Sequence, residues 1–357
     1  MLLADRRARY VRVSDFLASR NDADLVTLTS ADGVVEGRGG SVTFEVDGVP
    51  VFAKRVPLTD LELAHPRSTA NLFGLPMFCH YFFGTPVFPR FGFGGPAING
   101  WRELAASLIV TDGVLAGETE SFPVLYHWRV LPVRPRITAE PSDVQAVVTA
   151  LDGSTAVRER LEALRAASHS LILFYEHIPR PVTDWLREDP AGKAEMFEQQ
   201  LFEVVAFLRD RQLLHLDGQL GNMQTDGERI YFIDFGLATS PRFDLAAAER
   251  DFVATIATID ADYAALRLVH WLATDVCGVR GPGAKDPHTG DRPDWRIRAE
   301  FVRRCAVGDL PDGLPSTAIG ILARHAATAW RAFRFYRQLF NGNLHTAYPS
   351  RDQRINW

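Results

Sequence analysis

Cysteine is scarce in this sequence. Cys79, Cys277 and Cys305 stand far apart and are odd in number. They make no disulfide framework and have no spacing suited to zinc. A reducing compartment, the cytoplasm, is therefore the expected location. Basic excess is also missing. Lys and Arg number 39 against 44 Asp and Glu, a net charge of −5. A protein that grips a nucleic-acid backbone shows a basic stripe, so no nucleic-acid partner is expected. Long apolar runs are lacking too. The opening MLLADRRARYVRV has no apolar stretch leading to a small-residue cleavage site, so neither a signal peptide nor a membrane partner is expected. Repeats and low-complexity tracts are absent. What remains is a globular composition, 46% hydrophobic and 23% charged over 357 residues. That suffices for one large or two modest domains.

The pattern along the chain changes midway. Residues 1–30 mix charged and apolar positions, with Asp15–Leu17 and Leu25–Leu28 as short candidate elements. Val42, Phe44 and Val46 alternate with polar residues, Asp47-Gly48 is a tight hairpin turn, and Pro50–Arg55 (PVFAKR) returns as a strand. Residues 57–100 are dense in Phe, Gly and Pro and read as a packed functional loop or insertion, with the aromatic density of 72–93 suggesting a lid or acceptor-side wall. Trp101, Leu104, Ala105, Leu108 and Ile109 recur at helical spacing. Strands are predicted at 122–130 and 171–175, with a helix at 144–167 between them. A break at His177–Pro181 precedes an amphipathic helix through Phe197, Leu201, Val204, Val205 and Leu208. A polar loop, a hairpin turning at Asp226-Gly227, and a mostly helical remainder complete the chain. The sequence thus predicts an α+β protein: a sheet-rich part over 1–176 and a helical part over 177–357.

The polar loop reads His215-Leu216-Asp217-Gly218-Gln219-Leu220-Gly221-Asn222, and the strand after it ends Ile233-Asp234-Phe235-Gly236. These residue types suit phosphoryl transfer. That reaction asks for cations bridging the phosphates and a carboxylate that takes the acceptor hydroxyl's proton. Magnesium is held by one or two carboxylates plus phosphate oxygens. Asp217 can face the acceptor, Asn222 the metal, and Asp234 can supply the main metal carboxylate. The plainer alternative is that these Asp and Asn residues cap turns, as such residues often do.

His-x-Asp-x4-Asn followed by Ile-Asp-Phe-Gly resembles the paired signature of the protein-kinase-like superfamily, which spans protein kinases and aminoglycoside-type small-molecule phosphotransferases. The resemblance implies a bilobal fold, an antiparallel-sheet N-lobe and a mainly helical C-lobe. It implies ATP and Mg²⁺ as cofactors, Asp217 as catalytic base, and Asn222 and Asp234 as metal ligands. Upstream, Lys54 follows a glycine-rich turn and would meet the α- and β-phosphates. Gly37, Gly39 and Gly40 would cover the phosphates, although an ordinary turn reads equally well. A lysine on the solvent face of an edge strand is the other reading of Lys54. Its carboxylate partner is expected to be Glu103 rather than Glu62, which has too little helix around it before Pro66. Glu103 falls nearly opposite Trp101 on the helical wheel, so a surface charge is the competing reading. Backbone groups of Glu176 and Ile178 would meet the adenine; a plain buried strand and loop would look the same.

The resemblance spans about residues 33–245 and departs from the family in two ways. His-Leu-Asp stands where protein kinases have His-Arg-Asp and many small-molecule enzymes have His-Gly-Asp. No Ala-Pro-Glu element or clear activation loop follows Asp-Phe-Gly. The first expectation is transfer of the γ-phosphoryl group of ATP to a Ser or Thr hydroxyl of a peptide or protein. A small-molecule kinase is the second, and a nucleotide-binding scaffold without catalysis the third.

Overall fold

The computed structural model describes residues 3–29, 35–36, 41–82, 98–135, 141–279 and 295–349. Gly37, Gly39, Gly40 and the core of the aromatic segment, 83–97, lie outside the described residues. The protein is α+β, and its chain forms two compact units. One comprises Met1–Pro179 with Asp210–Asp217 and Tyr231–Ala254; the other comprises Arg180–Arg209, Gly218–Ile230 and Thr255–Trp357.

The first unit is built on an antiparallel sheet. Its strands are β1 (Val35–Glu36), β2 (Val42–Val46), β3 (Val49–Leu58), β4 (Leu125–Leu131) and β5 (His169–Glu176), in the order β1-β2-β3-β5-β4. Asp47 and Gly48 both take positive φ, 49° and 74°. That is the backbone the two-residue hairpin needs to match the twist of its strands. Lys54 pairs with Leu173, and Val56 with Leu171. Because side chains alternate along a strand, Lys54, Val56 and Leu58 share one face. Val56, Leu58, Leu171 and Leu173 pack there with Trp101 and Leu104 of a covering helix.

Helices surround this sheet: α1 (Leu3–Ala18), α2 (Asp22–Leu28), α3 (Asp60–Ala64), α4 (Cys79–Phe82), α5 (Gly100–Ala116), α6 (Pro141–Ala150) and α7 (Thr155–Ala166). Three differ from expectation. The first 16-residue helix replaces the short elements predicted there. Its charged sequence hides it, and one of its arginines is itself buried: Arg6 is 3% exposed and donates to Glu176 and to the carbonyls of Glu120 and Phe122. The helix predicted over 144–167 is two, broken where Asp152 and Gly153 adopt left-handed φ. Within 57–100, the described residues include the end of β3 and two short helices rather than unbroken loop.

Thr59 and Glu62 form a capping box at the start of α3. The Glu62 amide donates to Thr59 Oγ1 at 3.3 Å, and the Thr59 amide donates to Glu62 Oε2 at 2.8 Å. Arg160 donates to the same carboxylate at 2.8 Å, with both side chains essentially without exposure. Burial alone would raise the Glu62 pKa, but the Arg160 guanidinium and backbone amides hold it below the usual carboxylate value. Glu62 is thereby committed to structure. Replacing Thr59 with Ala is expected to cost about 1–2 kcal/mol in urea unfolding, the cost of losing a buried helix cap.

The second unit carries β6 (Arg180–Pro181), α8 (Val182–Glu188), α9 (Pro190–Asp210) and β7 (Met223–Thr225), with β6 antiparallel to β7. β8 (Ile230–Phe232) and α10 (Ala247–Thr255) bring the chain to the last three helices, α11 (Ile259–Trp271), α12 (Trp295–Ala306) and α13 (Ser316–Phe340). α13 packs on both α11 and α12, burying Ile321, Leu322, Ala326, Ala329 and Phe335 along one face. No helix among the described residues is long and apolar enough to cross a membrane.

Candidate functional site

The face of β3 that carries Val56 and Leu58 also carries Lys54, and there the apolar layer ends in charge. Lys54 Nζ is bonded to Glu103 Oε1 and lies 2.8 Å from Asp234 Oδ1. Glu103 is 1% exposed and Lys54 24%, whereas the Asp234 side chain is 44% exposed and faces solvent. One lysine therefore bridges a buried carboxylate and an accessible one. Burial disfavours the Lys54 ammonium, but Asp234 and Glu103 outweigh it and the pKa rises. Burial also opposes ionisation of Asp234; the Lys54 charge and the Gly236 amide, 3.1 Å from Oδ1, prevail and its pKa falls. Glu103 shifts upward, because burial exceeds what Lys54 returns. With all three groups ionised the trio would carry one net negative charge.

Glu103 escapes the surface because the first turn of α5 is buried on every side. Trp101, Arg102, Glu103 and Leu104 are each 3% exposed or less. Trp101 donates to the Glu62 carbonyl on the sheet side. Arg102, on the other side, donates to the Thr69 carbonyl at 2.6 Å and to Glu249 at 2.7 Å. A helical-wheel reading assumes one buried face, so it had no means of finding Arg102, the residue that fastens this turn. Asn99 caps the helix by accepting from the Trp101 amide. Tyr175 was missed as well. It shares a face with Leu171 and Leu173, exchanges a hydrogen bond with Ser107 of α5 at 2.7 Å, and feels the charges of both Glu103 and Lys54.

Asp217 and Asp234 are tied to one peg, His215. His215 Nε2 donates to the Ile233 carbonyl at 3.1 Å, and the Asp217 amide donates to His215 Nδ1 at 3.3 Å. These two bonds assign the proton to Nε2, since Nδ1 must accept. The ring lies 5.0 Å from that of Phe235, which in turn meets Phe122 at 6.1 Å. Leu214 and Thr239 exchange two backbone hydrogen bonds, 2.8 and 3.0 Å, clamping the loop to the segment beyond Gly236. Leu216 and Asp234 both hold left-handed φ, 65° and 67°. Non-glycine residues hold that conformation at a cost, and it clusters at functional sites. Asp217 itself is 8% exposed.

The remaining sequence-predicted residues lie elsewhere. Asn222 ends a short 3₁₀ turn in the other compact unit, its amide donating to Gln219 at 2.9 Å. The Glu176 carboxylate is occupied by Arg6, and its amide donates to the Val124 carbonyl at 2.8 Å. Any contact of Glu176 with a base is thereby confined to its carbonyl. Ile178 is partly exposed just beyond the strand. Among the described residues no three His, Cys, Asp or Glu side chains converge as a metal site. A magnesium site made of one carboxylate and ligand phosphates would not take that form. Neither a known family model nor any curated protein matches this sequence.

Proposed function

We propose that the chain is an ATP- and Mg²⁺-dependent phosphotransferase of the protein-kinase-like, bilobal kind, acting on a hydroxyl acceptor. The observation that supports this best is the bridge Glu103–Lys54–Asp234, with Asp217 pegged beside it through His215. The donor set fits a magnesium nucleotide. Asp234 offers an accessible carboxylate of lowered pKa, and the trio's net negative charge, with all three ionised, would attract a cation. Asp234 would hold the metal, and Lys54, oriented by Glu103, would donate to the nucleotide phosphates. The ion would neutralise charge on the phosphoryl group being transferred. Asp217 would orient the acceptor hydroxyl and accept its proton. Its orientation is set by the left-handed Leu216 and the His215 bond rather than by the substrate.

The acceptor is a second question. Residues 237–246 form a short course without a strand of their own, buried over Leu237–Ser240 and exposed at Pro241, Arg242, Asp244 and Ala246. Asp244 and Thr69 exchange bonds of 2.8 and 3.0 Å, and Ser240 Oγ donates to the Gln212 carbonyl. An extended platform for a peptide is missing among these residues. This favours a small-molecule hydroxyl over the Ser or Thr side chain first expected.

The test is to incubate the protein with γ-labelled ATP, Mg²⁺ and two acceptor panels, Ser/Thr peptides and polyhydroxylated small molecules. Label is expected in a small-molecule alcohol as an acid-stable phosphate ester. Label in peptides would restore the first expectation. Label in neither panel, with none released as phosphate, would contradict the enzyme reading and leave a nucleotide-binding scaffold.

A further inference from the structure

A separate cluster of charged groups lies in the helical unit. Arg267 and His270 stand three residues apart on α11 and so share a face of that helix. Arg298 of α12, which packs against α11, is close enough to act electrostatically on both. The Arg267 guanidinium lies 5.9 Å from the Tyr263 ring centre, and the His270 ring meets Phe333 edge-on at 5.7 Å. Aromatic rings thus wall the cluster on one side, while all three side chains keep partial exposure.

The charges in this cluster are unbalanced. The three fully buried arginines, Arg6, Arg102 and Arg160, each have a carboxylate, Glu176, Glu249 and Glu62, and the partly buried Arg331 has Asp262. Among the described residues Arg267 and Arg298 form no ion pair, and Arg267 Nε and His270 Nε2 are buried with no hydrogen-bond partner. Asp275 attracts Arg298 electrostatically without making an ion pair with it. Burial, then Arg298 and Arg267, push the His270 pKa down to about 3, so its ring is neutral and retains a single N–H. Directly after His270 the helix widens into a π turn over Leu272–Val276. Such single turns recur at functional sites.

Two half-buried guanidinium groups repel one another and lose hydration, which the Tyr263 ring and the more distant Asp275 offset only in part. A doubly charged oxyanion removes both costs, because each planar guanidinium can donate paired N–H bonds to tetrahedral phosphate oxygens. We propose that Arg267, His270 and Arg298 form a binding site for a phosphate-type oxyanion, either free phosphate or the phosphate of an ester ligand. The site is independent of the phosphotransferase reading, which uses none of these residues.

Thermal unfolding of the full chain tests it, with inorganic phosphate titrated against chloride of equal ionic strength. Phosphoserine serves as the ester arm and acetate as the carboxylate control. Phosphate is expected to raise Tm saturably while acetate and chloride do not. Tighter binding of phosphoserine than of phosphate would identify an ester as the ligand, and the reverse order free phosphate. Arg298→Gln and Arg267→Gln should each require about tenfold more phosphate for the same shift. Without phosphate, Arg298→Gln should melt no lower than the parent, since it removes one of two repelling charges. Asp234→Asn should keep the full phosphate response, which separates this site from the one on the sheet. Should a Gln variant fail to fold, Arg298→Lys keeps the charge, loses the fork, and is expected to weaken the response severalfold. The proposal is overturned by a parent response no larger than chloride's, by an undiminished response in the Gln or Lys variants, by loss of the response in Asp234→Asn, or by a phosphate-free Arg298→Gln that melts well below the parent.

Discussion

Asp217→Asn is expected to lower phosphoryl transfer by about 10²–10⁴-fold while changing nucleotide affinity less than about threefold. The substitution keeps size and polarity. It also keeps the backbone tie of this residue to the loop, because the bond to His215 Nδ1 comes from the Asp217 amide rather than the side chain. Leu216 stays left-handed and His215 stays on the Ile233 carbonyl. The carboxylate that would accept the proton is removed. Steady-state transfer measured beside equilibrium nucleotide titration separates the two effects. Equal loss of affinity and rate would place Asp217 in ground-state binding, and an unchanged rate would remove it from the chemistry.

Lys54→Met acts on the fold as well as on activity. It strands Glu103, which is 1% exposed, with no cation in reach of its carboxylate. Removing one partner of a buried pair costs about 3–5 kcal/mol, because the other charge is left buried and uncompensated. The effect has a signed pH dependence. Glu103 already titrates above its ordinary 4.5, since burial outweighs Lys54; without Lys54 it rises further. Above pH 4.5 the folded variant then binds a proton that the unfolded chain has released. Stability must fall as pH rises through that window. Urea unfolding should show the variant markedly more stable near pH 5 than near pH 8, and Lys54→Met/Glu103→Gln should abolish the difference. Asp234 contributes oppositely in the parent. Its lowered pKa gives stability that is present above 3.8 and lost as pH falls below it. A variant that lost stability equally at both pH values would show that Glu103 is not confined as described.

Much of this site was legible because its residues carry local backbone requirements. Asp47-Gly48 demanded a hairpin, which fixed β3 and therefore the face of Lys54. The loop 215–222 and the strand end 233–236 were visible as compact polar motifs after apolar runs. Other parts depended on neighbours distant in sequence. Glu103 looked opposite to a buried Trp101, yet both are buried, because residues 69 and 249 cover the side that the sheet does not. The burial of Arg6 and Arg160 has no local signal, because the carboxylates that pair with them, Glu176 and Glu62, are distant in sequence. The break at Asp152-Gly153 was a turn signal within an otherwise helical pattern, outweighed by the apolar spacing on either side.

Calorimetric titration of the full chain with ATP, in the presence and absence of Mg²⁺, tests most directly whether the Lys54–Glu103–Asp234 bridge is a nucleotide site. Saturable binding strengthened by Mg²⁺ is expected, with the Mg²⁺ enhancement lost in Asp234→Asn. Absence of saturable heat with millimolar Mg²⁺ and ATP, or an enhancement that survives in Asp234→Asn, would contradict the account.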